Sequence, residues 1–260
     1  SIRRLEDKQA AAAIGQIELA KNWQLALNKK NINSAQLLLT LNDSEVRRRY
    51  LNVRKTINAL HKQDIIPIIN ENDTVATEEI RYGDNDRLSA RVAQMIDADL
   101  LILLSDVDGL YTDDPTNKKA IKIKDVYNVD RSIEKMARNS QSSFGSGGMI
   151  TKIWAAKICM NSGCSVVISD GKDNFPLKYI NKNNSTWFHA KKSPKTSRQQ
   201  WLLNHLHPSG TITIDEGANK AILNNKSLLP SGITEIKGRF NRGDIISIVV
   251  DMNKKNLTFY

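Results

Sequence analysis

The sequence predicts an α/β protein in which a mainly parallel sheet is covered by helices, followed by a small β-rich module. Up to about residue 190, apolar strand-like runs alternate with helical patterns on short connections, which is typical of a parallel sheet with helices on both faces. After a polar stretch at 191–204 the pattern changes to short alternating strands with glycine turns. We therefore expect a large domain at 1–190, a linker at 191–204 and a module at 205–260.

The large domain opens with a helical pattern at 6–30 that is expected to carry leucine, alanine, isoleucine and tryptophan on one face. A buried strand is predicted at 36–40, and the helix after it is expected to run to about residue 59. Its predicted capping residues are Asn42, Asp43 and Ser44. The remaining elements are predicted as a strand at 65–69, a strand running into a turn at 99–111, a strand followed by a turn at 164–171, and helices at 87–95 and 151–161.

The net charge of +10 is concentrated in the last third of the chain. Residues 1–170 hold 24 Lys and Arg against 22 Asp and Glu, whereas residues 171–260 hold 14 against 6. A basic third is typical of nucleic-acid contact, but scattered lysines are more often a solvated surface. Charge alone does not choose between these two interpretations.

The sequence carries no membrane or metal signature. No apolar run approaches the roughly 20 residues of a membrane span, and no signal-peptide pattern is present. The two cysteines, Cys159 and Cys164, fit neither a redox CxxC motif nor a zinc site. We expect a cytoplasmic protein with no metal-ligand cluster and no membrane partner.

Two clusters of acidic and amide side chains lie close together in the sequence, one closing the strand at 65–69 and one opening the helix at 87–95. They comprise Asn70, Asn72 and Asp73, then Asp84, Asn85 and Asp86. In an open α/β sheet, ligands bind where strands end and the following helices begin. Carboxylates accept from an ammonium group and amides donate to a carboxylate. The two clusters together predict a site for an amino acid.

Two further segments are candidates for nucleotide contact. At the end of the strand at 99–111, Ser105, Asp106 and Asp108 could hold a nucleotide or hydrated Mg²⁺, although a surface turn explains them equally well. The glycine-rich loop at 145–148 feeds a helix, where backbone N–H groups can approach phosphates and Lys152 can neutralise charge. A flexible loop is the alternative there.

Together these segments resemble the glutamate 5-kinase branch of the amino-acid kinase family. The matching segments are EDKQAAAAIGQ (6–16), INENDTVATEEIRYGDNDRLSA (69–90), LLSDVDGLYTDDP (103–115), FGSGGMITK (144–152) and TITIDEGANKAIL (211–223). The fold implied is the αβα sandwich of that family. The final segment resembles the start of a PUA domain, a small β-barrel-like module that binds RNA in other proteins.

The resemblance implies a role for each matched residue. The catalytic pair would be Lys152, which stabilises the phosphoryl group, and Asp86, which organises the catalytic lysines. The glutamate pocket would hold Asp73, Asn85, Asn70 and Asp84. ATP would contact Ser105 and Asp106, with its phosphates on Ser146, Gly147, Gly148, Met149, Ile150, Thr151 and Lys152. Mg²⁺ with ATP, feedback inhibition by L-proline and a homo-oligomer are also implied.

The family pattern also has a strand with a lysine and a Gly-Ser/Thr loop, then a Ser-Gly loop, ahead of the first helix; the 260 residues contain neither. We therefore expect either a fragment of a longer product or a degenerate descendant, with a shortened PUA module. Two functions stay open. One is ATP-dependent phosphorylation of the γ-carboxylate of L-glutamate. The other is a non-catalytic amino-acid sensor or RNA-binding protein.

Overall fold

The computed structural model describes residues 4–75, 85–139, 148–172, 174–180, 184–191, 209–224, 226–241, 246–251 and 258–259. The chain divides into two units, unit 1 at Ser1–Ser197 and unit 2 at Arg198–Tyr260. Each unit has a hydrophobic cluster of its own.

The described part of unit 1 contains helices and strands in alternation. The helices are α1 (Leu5–Asn28), α2 (Leu41–Glu45), α3 (Arg47–His61), α4 (Asn85–Met95), α5 (Arg131–Asn139) and α6 (Met149–Asn161). The strands are β1 (Asn33–Leu39), β2 (Ile65–Glu71), β3 (Leu100–Ser105), β4 (Leu110–Tyr111), β5 (Lys122–Ile123), β6 (Asp125–Val126), β7 (Ser165–Asp170) and β8 (Ser185–Phe188).

The strands of unit 1 form separate sheets instead of one parallel sheet. Strands β1 and β2 pair in parallel, and a four-stranded sheet has the order β3-β7-β8-β6. Strand β3 is parallel to β7, but β8 runs antiparallel to β7. The described part of the segment between β7 and β8 contains a 3-10 turn at Pro176–Tyr179 and no crossover helix of the kind that usually joins parallel strands. The prediction of a parallel sheet therefore fails at β8, which runs antiparallel to its neighbour.

Helix α4 connects the two sheets of unit 1. On one side, Leu88 packs with Leu39 of β1 and Ile69 of β2. On the other, Ala90 and Ala93 belong to the main cluster, which is built around α6 and the four-stranded sheet. Because α4 is fixed from both sides, the position of its first turn is set by the packing of the whole unit.

The predicted helix at about 42–59 is divided in two. Thr40, not Asn42 or Ser44, is the N-cap of α2, while Asp43, one of the predicted capping residues, is its reciprocal partner: the Thr40 backbone N–H donates to the Asp43 carboxylate at 2.7 Å. Val46 then takes an extended conformation and ends α2, so that α3 starts at Arg47. The three-residue spacing of Thr40 and Asp43 is that of a capping box, which moves the helix start two residues toward the N-terminus.

Helix α1 turns a different face to the sheet from the one predicted. Ile14 and Ile17 are 72% and 70% exposed. The partly buried positions include Leu5, Gln9, Ala12, Gln16, Ala20 and Leu27, which recur at helical spacing. The expectation of one apolar face was wrong, because two glutamines lie on the packed side while isoleucines face away from it.

The segment at 99–111 is a strand that runs into a turn, as predicted, and the strand ends at Ser105. Gly109 has φ of +145°, a conformation that favours glycine, and it turns the chain into β4. A side chain there would collide with Thr186 of β8. The Thr186 hydroxyl accepts from Leu110 N–H at 2.8 Å and donates to the Ile123 carbonyl at 2.6 Å, which joins β8 to the β4–β5 hairpin.

The described part of unit 2 is a four-stranded sheet with one helix. Strands β9 (Gly210–Ile214), β10 (Ile233–Gly238), β11 (Ile246–Val250) and β12 (Thr258–Phe259) have the order β10-β9-β11-β12, and α7 spans Glu216–Leu223. Ile212, Ile214 and Val250 form the buried centre. The sequence did not predict α7, although Asp215 provides the signal: its carboxylate caps the helix by accepting from Ala218 N–H at 2.7 Å.

Among the described residues, no helix is both long enough and apolar enough to span a membrane. No group of three or more His, Cys, Asp or Glu side chains in that part of the chain is placed to hold a metal ion.

Candidate active site

A buried ion pair joins the first turn of α4 to the first turn of α6. The ammonium group of Lys152 lies 3.0 Å from Asp86 Oδ2, and the two side chains are only 10% and 14% exposed. The Thr151 hydroxyl lies 2.8 Å from the same carboxylate oxygen and 2.7 Å from the Gly148 carbonyl. Since this hydroxyl has one hydrogen, it donates to one of these oxygens at a time.

Small side chains allow α4 and α6 to approach each other. Ala90 of α4 and Ala156 and Cys159 of α6 are fully buried, and the Cys159 thiol lies 3.9 Å from the Ala90 carbonyl oxygen. The contacts advance in the same direction along both helices, from Asp86 with Lys152 to Ala90 with Cys159. The N-terminal ends of α4 and α6 therefore lie side by side.

This arrangement suits an anion such as a phosphoryl group. The first backbone N–H groups of a helix have no acceptor within the helix, and the helix N-terminus carries partial positive charge. Gly148, which precedes α6, makes no side-chain cap bond. Two adjacent helix N-termini, with a lysine ammonium held between them, form a region of positive potential.

The carboxyl end of β2 holds the first predicted acidic and amide cluster. The Asn70 amide donates to Gln16 Oε1 of α1 at 2.8 Å, and Asn72 N–H donates to the Leu39 carbonyl at 2.8 Å. Asp73 is partly buried. Glu71, which the sequence analysis passed over, is only 9% exposed at the strand end.

The second cluster is described only from Asn85 onward. Asn85 opens α4 and is exposed, whereas Asp86 is largely buried against Lys152. Asp84 lies outside the described residues, as do Ser146 and Gly147 of the glycine-rich loop. The described phosphate-loop candidates are Gly148, Met149, Ile150, Thr151 and Lys152, of which Met149 is buried and Ile150 is 40% exposed.

A pocket of about 290 Å³ lies at the carboxyl ends of β3 and β7. Its polar lining includes Asp106, Asp108, Ser169, Asp170 and Asn184. This volume is near the lower end of the range for small-molecule sites, which fits one part of a nucleotide. Ser105, which donates to Asp106 Oδ1 at 3.0 Å, is at the end of the same strand.

The two strand ends at this pocket are tied together. Gly171 N–H donates to the Ser105 carbonyl at 2.7 Å, and the Lys172 ammonium donates to the Asp106 carbonyl at 2.9 Å. The sequence analysis missed Asp170 and Lys172. A signal was present: Ser169-Asp170 repeats Ser105-Asp106, each pair closes an apolar strand, and these strands are neighbours with Ser105 opposite Asp170.

The wall of this pocket at Asp108 is held by two partners. Lys122 forms an ion pair with Asp108, and the Tyr111 hydroxyl donates to it at 3.0 Å. Burial, together with the hydrogen bond to this carboxylate, raises the pKa of Tyr111 above its ordinary value. Tyr111 therefore remains a neutral donor, and Asp108 has a structural task as well as a place in the lining.

Two parts of the chain match known protein families. Residues 2–170 match the family model described as the amino acid kinase family, and residues 210–255 match the PUA domain. The chain is 52% identical over 247 residues to glutamate 5-kinase of Paramagnetospirillum magneticum, covering 94% of this chain and 67% of that protein. It is 52% identical over 248 residues to glutamate 5-kinase of Agrobacterium fabrum, covering 95% and 64%.

Among solved structures, UMP kinase from Ureaplasma parvum matches with a TM-score of 0.46 at 16% identity, covering 70% of this chain and 68% of that one. The chain belongs to the amino acid kinase family. Within that family it groups with the glutamate 5-kinases, as the motif resemblance predicted. It spans about two thirds of the length of these relatives.

Proposed function

We propose that this chain catalyses transfer of the γ-phosphoryl group of ATP to the γ-carboxylate of L-glutamate. The product is L-glutamyl 5-phosphate, which enters proline biosynthesis. The observation that carries the proposal is the buried Asp86–Lys152 pair between the N-termini of α4 and α6, where phosphoryl charge is best stabilised. The names of relatives that are about half identical support the same reaction.

The reaction needs no general base, because a γ-carboxylate is ionised at neutral pH. A carboxylate oxygen attacks the γ-phosphorus as the bond to the oxygen bridging the β- and γ-phosphorus atoms breaks, and ADP leaves with that electron pair. The enzyme contributes positioning and charge neutralisation. Lys152 carries the positive charge, and Asp86 holds the ammonium in place without reacting.

The glutamate site in this proposal lies between β2 and the start of α4. Asp73 accepts from the α-ammonium group, while Asn85 and Asn70 donate to carboxylate oxygens, with Asp84 beside them. Asn70 is oriented by Gln16, so α1 contributes indirectly. Feedback inhibition by L-proline, an amino acid with the same α-carboxylate, belongs to this same site.

ATP in this proposal occupies the pocket at the ends of β3 and β7, with Ser105 and Asp106 beside it and its phosphates toward α6. Mg²⁺ arrives as part of the MgATP substrate. A magnesium ion bound to ATP is held chiefly by phosphate oxygens and water. A cytoplasmic location and a homo-oligomer complete the proposal.

The direct test is glutamate-dependent ADP formation by this 260-residue chain with MgATP. Asp86→Ala is the site variant. Glu134→Gln is the matched control, since it breaks the salt bridge between Glu134 of α5 and Lys157 of α6, where the lysine is 50% exposed. We expect activity in the parent and the control and at least a 100-fold lower kcat in Asp86→Ala. Equal activity in all three would overturn the proposed role of the pair, and an inactive parent would overturn the proposed function of this chain.

A second candidate is RNA binding by unit 2. It is motivated by the PUA match at 210–255 and by the basic last third of the chain, although unit 2 itself (198–260) holds only 8 Lys and Arg against 5 Asp and Glu. Binding through phosphates releases counterions, so the affinity for RNA should fall steeply between 50 and 200 mM salt, on the order of tenfold or more. Electrophoretic mobility shifts at several salt concentrations distinguish this from a solvated basic surface, which gives no measurable complex.

A further inference from the structure

Helices α4 and α6 are joined by a second contact next to the Asp86–Lys152 pair. The guanidinium carbon of Arg87 lies 4.3 Å from the centre of the Trp154 ring. Arg87 follows Asp86 directly, and Trp154 lies two residues after Lys152. Arg87 is exposed and Trp154 is 38% exposed, so hydrophobic burial alone does not account for their contact.

A guanidinium group above an aromatic face is attracted by the negative charge of the ring surface, within a range of about 6 Å. The planar guanidinium also stacks on the ring. Both helices begin with backbone N–H groups that have no acceptor within the helix. The position of the first turn of α4 therefore depends on side-chain contacts, and Asp86 and Arg87 make three of them to α6, with Thr151, Lys152 and Trp154.

The geometry points to Arg87 and Trp154 as a positioning pair that holds the first turn of α4 against α6 and so keeps Asp86 on Lys152. Neither residue touches the reacting atoms; both act through Lys152. This inference rests on the proposed function for its kinetic consequence. Its structural consequence, the shielding of the Lys152 ammonium, does not depend on that function.

The kinetic test compares Trp154→Ala and Arg87→Met with the conservative variants Trp154→Phe and Arg87→Lys. We expect kcat to fall threefold to tenfold in the first two, with the KM for glutamate and for ATP changed less than twofold. Phe keeps a ring face and Lys keeps a cation, so each should restore kcat to within twofold of the parent. The double variant Arg87→Met/Trp154→Ala should be no slower than either single variant.

The second test follows Lys152 without any assay of activity. The chain is treated with an amine-acetylating reagent under native conditions, and acetylation of each lysine is measured by peptide mass spectrometry. Lys152, now 10% exposed, should be modified at least threefold faster in Trp154→Ala and in Arg87→Met than in the parent. Lys157, on the same helix and 50% exposed, is the internal reference and should be unchanged.

The outcomes separate the two proposals. An inactive parent contradicts the proposed function, whereas the labelling rates still decide the positioning role. Unchanged labelling of Lys152 in Arg87→Met would overturn the inference, and this exposed substitution avoids the risk that removal of the Trp154 ring unfolds the helix pair. A fall in kcat that Trp154→Phe and Arg87→Lys fail to reverse would overturn it as well.

Discussion

The charged ammonium group of Lys152 is almost fully buried, and the Asp86 carboxylate, 3.0 Å away, compensates for the lost hydration. The carboxylate of Asp86 is supplied with a second partner, the Thr151 hydroxyl, and it lies in the first turn of a helix, where negative charge is favourable. The two members of the pair are therefore unequally supported. Removing the lysine leaves Asp86 with other stabilising groups, whereas removing the aspartate leaves a buried ammonium without this acceptor.

This asymmetry predicts different stabilities for Asp86→Asn and Lys152→Met. We expect Asp86→Asn to lower the free energy of unfolding by about 3 kcal/mol, the typical cost of leaving one member of a buried pair without its partner. Lys152→Met should cost roughly half of that. Urea denaturation followed by circular dichroism measures both. A larger loss for Lys152→Met than for Asp86→Asn contradicts the argument.

The Glu134→Gln change provides the reference for this comparison, because it removes a more exposed ion pair, between α5 and α6. Its effect should stay within about 0.5 kcal/mol.

The sequence predicted individual site residues within motifs, but it did not predict which side chains most of them contact. Asp86, Thr151 and Lys152 were all named from short segments, and the structure brings them together. The contact of Asn70 with Gln16 could not be anticipated, because it depends on which face of α1 packs. The apolar pattern of α1 indicated the wrong face, since Ile14 and Ile17 are exposed.

Among the elements, strand β8 holds the β4–β5 hairpin through one side chain. Thr186 is fully buried, and its hydroxyl serves both Leu110 N–H and the Ile123 carbonyl. A threonine at this position acts as a cross-link between strands that share no ladder. The same hairpin brings Asp108 to the wall of the pocket through Lys122 and Tyr111.

We predict that Thr186→Val lowers the free energy of unfolding by about 2 to 4 kcal/mol. Valine has nearly the same shape, so the loss measures the buried N–H and carbonyl groups that no longer have a partner, at about 1 to 3 kcal/mol each. Thr112→Val is the control, since the Thr112 hydroxyl also accepts a backbone N–H, from Ile121, but at an exposed position. Thermal or urea unfolding of the two variants should differ by at least 1 kcal/mol.

The existence and type of most elements followed from periodicity, while their ends and directions did not. The α2–α3 division at Val46 depends on a capping box at Thr40, and the β3–β4 division depends on the positive φ of Gly109. The turn at Gly109 was predicted from its residue type, whereas the division at Val46 lies inside a helical pattern that otherwise looks continuous. The antiparallel direction of β8 depends on the lack of a crossover helix before it, and no period in the sequence reports that.

Over the whole molecule, each unit keeps a hydrophobic cluster made only of its own residues. The cluster of unit 1 is built around α4, α6 and the four-stranded sheet, and that of unit 2 around Ile212, Ile214 and Val250. The change in sequence pattern after residue 204 predicted a second module. What the sequence did not provide was α7, whose Ala218 and Ile222 pack against the cluster of unit 2.

The separate clusters predict a local effect of Ile214→Ala, a substitution of a side chain that is 1% exposed. We expect it to destabilise unit 2 by about 3 kcal/mol through the cavity it leaves. Hydrogen exchange followed by mass spectrometry should show faster exchange in β9 and β11 and unchanged exchange in α6. Acceleration of α6 to the same degree would contradict independent clusters.

The labelling rate of the two buried cysteines reports local opening of the protein. Cys159 and Cys164 are the chain's only thiols, and both are buried where α6 passes into β7. A hydrogen bond with Cys164, together with burial, raises the pKa of the Cys159 thiol, whereas the same hydrogen bond lowers the pKa of Cys164. Because both side chains are buried, a reagent reaches either thiol only when this part of the chain opens. A maleimide reagent should therefore label the native protein slowly. The rate of labelling then measures how often the junction between α6 and β7 opens. In a Thr116→Cys variant, the new cysteine is exposed beside Pro115 of the pocket wall. A fluorophore should label it selectively, and a change in fluorescence would then measure nucleotide binding.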